Sequence, residues 1–145
     1  MTVKRQTTIN PDDYVFIFDD HIVNGYINGT QISIVYNNDA FTPYKGNDGE
    51  SARVMTNDTS ATITLTISQI SPSNDVFSEK LSKDLSTGNE IVDVSFKDNR
   101  GTTVLDGSGA YILKFADVTV SNTIEARTWR IYASYLEGTI GGNFL

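Results

Sequence analysis

The stretch from Ala61 to Ile67 constrains the fold more than any other. Apolar and hydroxyl side chains alternate there without a break, with Ala61, Ile63, Leu65 and Ile67 on one side and Thr62, Thr64 and Thr66 on the other. This is the period-two signature of a strand with one dry face and one wet face. Threonine is β-branched, favours strands and carries no charge, so the wet face can meet water or another chain. The strand stops at Ser71-Pro72, where proline cannot donate to a ladder but fits the first turn of a helix, with Ser71 as the expected N-cap. Phe77, Leu81 and Leu85 then recur every four residues, Val76 widens the stripe, and Asp75, Glu79, Lys80 and Lys83 cover the other side. A helix over about Ser73–Leu85, ended by Gly88, is expected. A long strand feeding one short amphipathic helix predicts a mainly β domain, sandwich-like or barrel-like, with a single flanking helix.

With 145 residues the chain is read as one domain, residues 1–145, large enough to bury a core without staples. It has no cysteine, which removes disulfides and thiolate metal sites. No apolar run approaches the roughly 20 residues that span a bilayer, and Met1–Gln6 lacks the apolar segment of a signal peptide. A soluble protein without membrane insertion, made in the cytosol, is expected. The net charge is −7 and the basic residues are scattered, the reverse of what gripping nucleic-acid phosphates requires.

Residues 1–13 read as an extended polar arm. Tyr14–Phe18 is a continuous apolar strand, Asn24-Gly25 and Asn28-Gly29 are hairpin-type dipeptides, and Ile32–Tyr36 is the next strand. Residues 37–51 are dense in Asn, Asp, Gly and Lys and read as a long loop; loops of that length in compact domains are usually functional. Phe41 and Tyr44 either dock on a neighbour or tuck back onto their own domain. Val92–Lys97 and Thr102–Leu105 form a hairpin, Asp106–Gly109 is read as a further turn before Ala110–Phe115, and the last strand runs from Ala126 to Leu136 with Arg127, Trp129, Ile131, Ala133 and Tyr135 on one side. Seven to nine strands and one helix match a sandwich or barrel.

Catalytic apparatus is scarce. The one histidine, His21, stands at a strand end and reads as a turn or surface residue; alone it cannot complete a two-histidine metal site, and no serine sits in a G-x-S-x-G elbow. Asp39, Asn47, Asp48 and Glu50 supply oxygen ligands on a glycine-containing loop, but without EF-hand spacing. The phosphate-cradling glycine motifs are missing as well. No catalytic residue, cofactor or metal is assigned, and an interaction or structural protein is expected.

Several short blocks, in order, resemble the tail tube proteins of contractile-tailed bacteriophages. They are Asn38-Asp39-Ala40-Phe41, Gly46-Asn47-Asp48-Gly49-Glu50 with Arg53-Val54, Asn57-Asp58-Thr59-Ser60, Ser71-Pro72-Ser73-Asn74-Asp75, Lys97-Asp98 with Gly101-Thr102-Thr103, Ala116-Asp117 and Arg127-Thr128-Trp129. They span roughly Val23 to Gly142. The resemblance, shared with the tubes of pyocins and type VI secretion systems, implies a virion protein of the tail tube fold. It implies stacked homohexameric rings whose inner sheets form a common β-barrel inside a contractile sheath, a conduit for genome ejection. The implied partners are copies of the chain itself, the sheath, baseplate and tail terminator proteins, and DNA that passes without specific binding. Assembly in the host bacterial cytoplasm and residence in the virion tail follow. On this reading Thr62, Thr64 and Thr66 face the lumen, and Asp39, Phe41, Tyr44, Asp48 and Glu50 make contacts between subunits or rings. The alternatives are the tube of a phage-derived contractile injection particle that carries no genome, and a small β-barrel module that binds a ligand through the Phe41/Tyr44 loop.

Overall fold

The computed structural model describes residues 8–143; the first half of the expected arm, residues 1–7, lies outside them. Nine strands and one α-helix follow a short 3₁₀ turn: β1 Tyr14–Phe18, β2 His21–Ile22, β3 Ile32–Tyr36, β4 Phe41–Lys45, β5 Ser51–Met55, β6 Ala61–Ser68, α1 Ser73–Thr87, β7 Val92–Asp98, β8 Val104–Ile112 and β9 Ala126–Thr139. Seven strands form one antiparallel sheet in the order β2-β1-β7-β8-β9-β6-β3, and β4-β5 form a separate ribbon. The mainly β fold with one flanking helix is as expected. The sheet of a single chain stays open, with β2 and β3 as its edges.

β6 alternates buried and half-buried residues along its whole length and lies between β9 and β3. Its dry side, Ile63, Leu65 and Ile67, meets Phe16 and Phe18 from the far end of the sheet, with Phe77 and Leu81 of α1, Trp129 and Ile131. Strands separated by three others in the sheet order share one core, so the sheet curls over the helix. Phe77 sits between Phe18 and Trp129, with ring centroids at 5.3 and 5.4 Å, spacings typical of favourable aromatic pairs. The chain between β2 and β3 crosses from one edge to the other and touches β6 at the Tyr26–Ile67 bridge.

Five expectations are corrected. The segment Pro11–Asp13 is an ordered 3₁₀ turn, with the Asn10 side chain accepting from the Asp12 N–H at 3.0 Å. The first tight hairpin turn is Asp19-Asp20, not either Asn-Gly pair: both aspartates have positive φ, 49° and 65°, as a two-residue turn with strand-matching twist requires. Helix α1 extends to Thr87 and leaves Leu85 exposed, because the sheet beneath it covers only the Phe77 and Leu81 level. Residues 104–112 form one strand, because the glycines bend the chain without reversing it. Leu105 and Gly107 point inward, then Ala110 and Ile112, and Gly109 takes φ +62° at the step, a conformation that costs glycine little. β9 shifts in parallel, burying Trp129, Ile131 and Ala133 and then Leu136, so Tyr135 points to solvent rather than into the core. A strand that changes its inward parity turns a corner in a curled sheet.

Candidate functional site

The residues expected to form a long loop build a projecting ribbon. β4 and β5 pair in register from Phe41 opposite Met55 to Lys45 opposite Ser51, and every residue of both strands is exposed. The hydrogen bonds Gly46 N–H to Glu50 and Thr56 N–H to Ala40 place Pro43 at a non-hydrogen-bonded pair. Its missing N–H therefore faces outward, where proline is tolerated. The Asp48 carboxylate accepts from the Glu50 N–H and closes the turn. Arg53 lies over the Phe41 ring at 4.0 Å, a cation–π contact on one face of the ribbon. Tyr44 (60 % exposed), Val54 and Met55 also remain uncovered. Of the two readings of Phe41 and Tyr44, tucking back onto the domain is excluded.

A polar clamp holds the root of the ribbon. Asp58 accepts from the Ser60 N–H at 2.9 Å and from the Asn38 amide at 2.6 Å, and Asn37 donates to the Ser60 hydroxyl at 3.1 Å. The Ser60 bonds hold the Asp58 carboxyl below its ordinary pKa, since they favour the ionised acceptor. The Thr62 hydroxyl donates to Asn37 at 2.9 Å, so this threonine serves the clamp. Asp39 is exposed beside it. The clamp explains why Asn, Asp and Ser cluster at both ends of the ribbon in sequence.

Thr62, Thr64 and Thr66 do share the outward face of the curled sheet. Register places them opposite Tyr132, Arg130 and Thr128 of β9, with Ser33 and Val35 of β3 on their other side. Further along this face an open concavity of about 750 Å³ carries Asp19, Asp20, Asp93, Asp106 and Glu137. These carboxylates come from the β1–β2 turn and from β7, β8 and β9. Sequence reading missed them because strands distant in sequence align them. Among the described residues no group of three or more His, Asp or Glu side chains is arranged to hold a metal ion, and no helix is long and apolar enough to cross a membrane.

His21 is more than a surface residue. Its Nε2 lies 2.9 Å from the buried Ser73 Oγ, which accepts from the Asn24 N–H at 3.2 Å. Ser71 donates to the Asn24 carbonyl at 2.7 Å, and its Oγ accepts from the Ser73 N–H at 3.2 Å. The N-cap position itself is Pro72, without a side-chain bond. Asn74 accepts from the Trp129 indole at 2.9 Å and donates to the Ser68 and Ser71 carbonyls, both at 3.0 Å. The start of the helix thus fastens β6, β9 and the β2–β3 crossing together.

With this geometry in place, the fold is similar to that of chains in solved contractile injection particles. It matches a chain in the cryo-EM structure of the anti-feeding prophage cap, the tube terminating cap, with TM-score 0.65 and 14 % identity over 94 % of each chain. It also matches a chain in the cryo-EM structure of the PVC sheath/tube terminator, from an extracellular contractile injection system in the extended state (TM-score 0.62, 16 % identity, 91 % of this chain and 96 % of that one). A chain in the structure of the sheath-tube complex of the same system matches at TM-score 0.62 and 16 % identity over 90 % of each chain. In sequence the chain is 26 % identical over 147 residues to structural protein ORF10 of Pseudomonas phage KPP10, covering 96 % of this chain and 85 % of that protein. No protein-family model matches.

Proposed function

We propose that the chain is a non-enzymatic structural subunit of a contractile phage tail. Copies form hexameric rings that stack into the inner tube, with Thr64 and Thr66 on the lumen side and the β4–β5 ribbon reaching the adjacent subunit or ring. The observation that carries this reading is the ribbon. A lone two-stranded hairpin is marginal in water, and one with Phe41, Tyr44, Val54 and Met55 exposed gains stability by docking on a second chain. The likeness to a phage structural protein and to tube and terminator folds supplies the class of assembly. Asp39, Asp48 and Glu50 border the docking residues. Carboxylates on the outward face repel phosphate, so DNA in such a lumen slides without sticking.

A second reading is a terminator that caps a tube with one ring; it is favoured by the two cap and terminator structures among the fold neighbours. In either case the sheath and the remaining tail components are the heterologous partners, and the protein resides in the virion tail. Negative-stain microscopy of the purified chain across concentration tests both. Long hollow tubes establish the tube subunit, single rings that stop growing establish the terminator, and a persistent monomer refutes the proposal.

A further inference from the structure

Both Asn-Gly pairs of the chain lie in the crossing between β2 and β3, and neither makes the tight hairpin turn its sequence suggests. Asparagine or aspartate before glycine is also chemically labile, because no Cβ on the second residue shields its backbone nitrogen from the side-chain carbonyl of the first. The chain has four such pairs: Asn24-Gly25, Asn28-Gly29, Asp48-Gly49 and Asp106-Gly107. Attack requires the peptide between the two residues to rotate, so the surroundings of each pair decide which can react.

Three of the pairs are tied down. The Asn24 carbonyl, part of the peptide that would have to turn, accepts from the Ser71 hydroxyl at 2.7 Å, and the Asn24 N–H donates to Ser73 Oγ at 3.2 Å. Beyond it the Gly25 carbonyl accepts from the Ser68 N–H at 2.7 Å, and a Cβ added to Gly25 would lie 2.5 Å from that of Ser71. The Gly49 N–H, which would be the nucleophile, donates to the Gly46 carbonyl at 3.1 Å, while the Asp48 carboxylate is held by the Glu50 N–H. Asp106-Gly107 lies inside β8, paired with β7 and β9, and Gly107 is buried. Asn28-Gly29 is different. Both residues are exposed, and a Cβ on Gly29 would meet nothing within 4 Å. Among the described residues, neither Asn28 nor Gly29 makes a hydrogen bond through backbone or side chain.

We propose that Asn28 is a site of spontaneous deamidation in the native chain, and that the fold protects Asn24 from the same reaction. The Gly29 nitrogen bonds to the side-chain carbonyl carbon of Asn28 and loses its proton, and the side-chain carbon–nitrogen bond breaks to release ammonia. Water then adds to one of the two carbonyls of the succinimide and opens the ring to aspartate or isoaspartate. Nothing is oxidised or reduced: amide plus water gives carboxylate plus ammonium. Each conversion adds one negative charge near neutral pH. The isoaspartyl product also routes the main chain through a side-chain carbon just ahead of β3.

The test is to incubate the purified full chain at mildly alkaline pH, both natively and in urea, and to follow the two asparagines by tandem mass spectrometry. Labelling with protein isoaspartyl methyltransferase identifies the isoaspartyl product. In urea the two Asn-Gly pairs should react at similar rates. In the native chain Asn28 should stay close to its rate in urea. Asn24 must first open the bonds to Ser71 and Ser73, so it should slow by roughly tenfold or more. Asn28→Gln should remove the acidic form that accumulates in the native chain, because the larger ring closes far more slowly. Equal native rates at Asn24 and Asn28, or an acidic form that persists in the Asn28→Gln variant, would overturn the proposal.

Discussion

Asn74 makes four hydrogen bonds from one buried side chain, and the chain's single tryptophan depends on one of them. Asn74→Leu keeps the branched outline and strands the Trp129 indole N–H, while the Ser68 and Ser71 carbonyls keep the backbone N–H groups of Ser71 and Asn74. Leaving that buried donor unpaired should cost about 1–3 kcal/mol, read as a lower urea midpoint by Trp129 fluorescence on the unassembled chain. The sequence drew attention to Ser71-Pro72-Ser73-Asn74 as a helix start. It could not show that His21, 52 positions before Ser73, would arrive there. Lys80 gives a pH-dependent prediction. It pairs with Asp19 at 2.7 Å and Glu90 at 3.2 Å, and the hydrogen bond to Asp19, followed by the pairing with Glu90, raises its pKa above the ordinary lysine value. A raised folded-state pKa means stabilisation that is complete below the unfolded pKa and is lost as pH rises through the folded one. Lys80→Met should therefore lower stability by about 1 kcal/mol near neutrality, and its difference from the parent should shrink once pH passes the lysine range.

At the level of elements, β6 and the ribbon make opposite predictions. Leu65 is fully buried on β6, and Leu65→Ala should cost about 3 kcal/mol through the cavity it leaves, lowering the unfolding midpoint of the unassembled chain. The paired change Phe41→Ser with Tyr44→Ser touches only exposed positions, so unfolding of the unassembled chain should move by no more than about 0.5 kcal/mol. Rings or tubes should nonetheless disappear from sedimentation profiles; unchanged assembly would remove the ribbon from the contact. β6 was legible in the sequence because its period-two pattern records a burial that every residue of the strand shares. The ribbon was not, because neither of its faces is buried in the single chain, so no periodicity marks it. Pro43 and the surrounding Asn, Asp and Gly made it look like a loop.

For the whole molecule, a charge of −7 on every copy opposes assembly through self-repulsion. Raising ionic strength shortens the screening length from about 10 Å at 0.1 M to about 3 Å at 1 M, so the concentration at which rings or tubes first appear by light scattering should fall with added salt. An onset that rises with salt would mean that attractive ion pairs dominate the contacts instead. The carboxylates of Asp19, Asp93, Asp106 and Glu137 lie on one concave face because strands far apart in sequence align there. Their alignment is invisible to any reading of local pattern.

The sequence by itself determined the β class, the threonine face of β6, the place of the helix and its end at Gly88, since each depends on neighbours within a few residues. Tertiary structure alone decided the corner at Gly109, the pairing of the ribbon, the His21–Ser73 contact and which sheet edge stays open. Those features are set by contacts between distant segments, whose free energies no local pattern encodes.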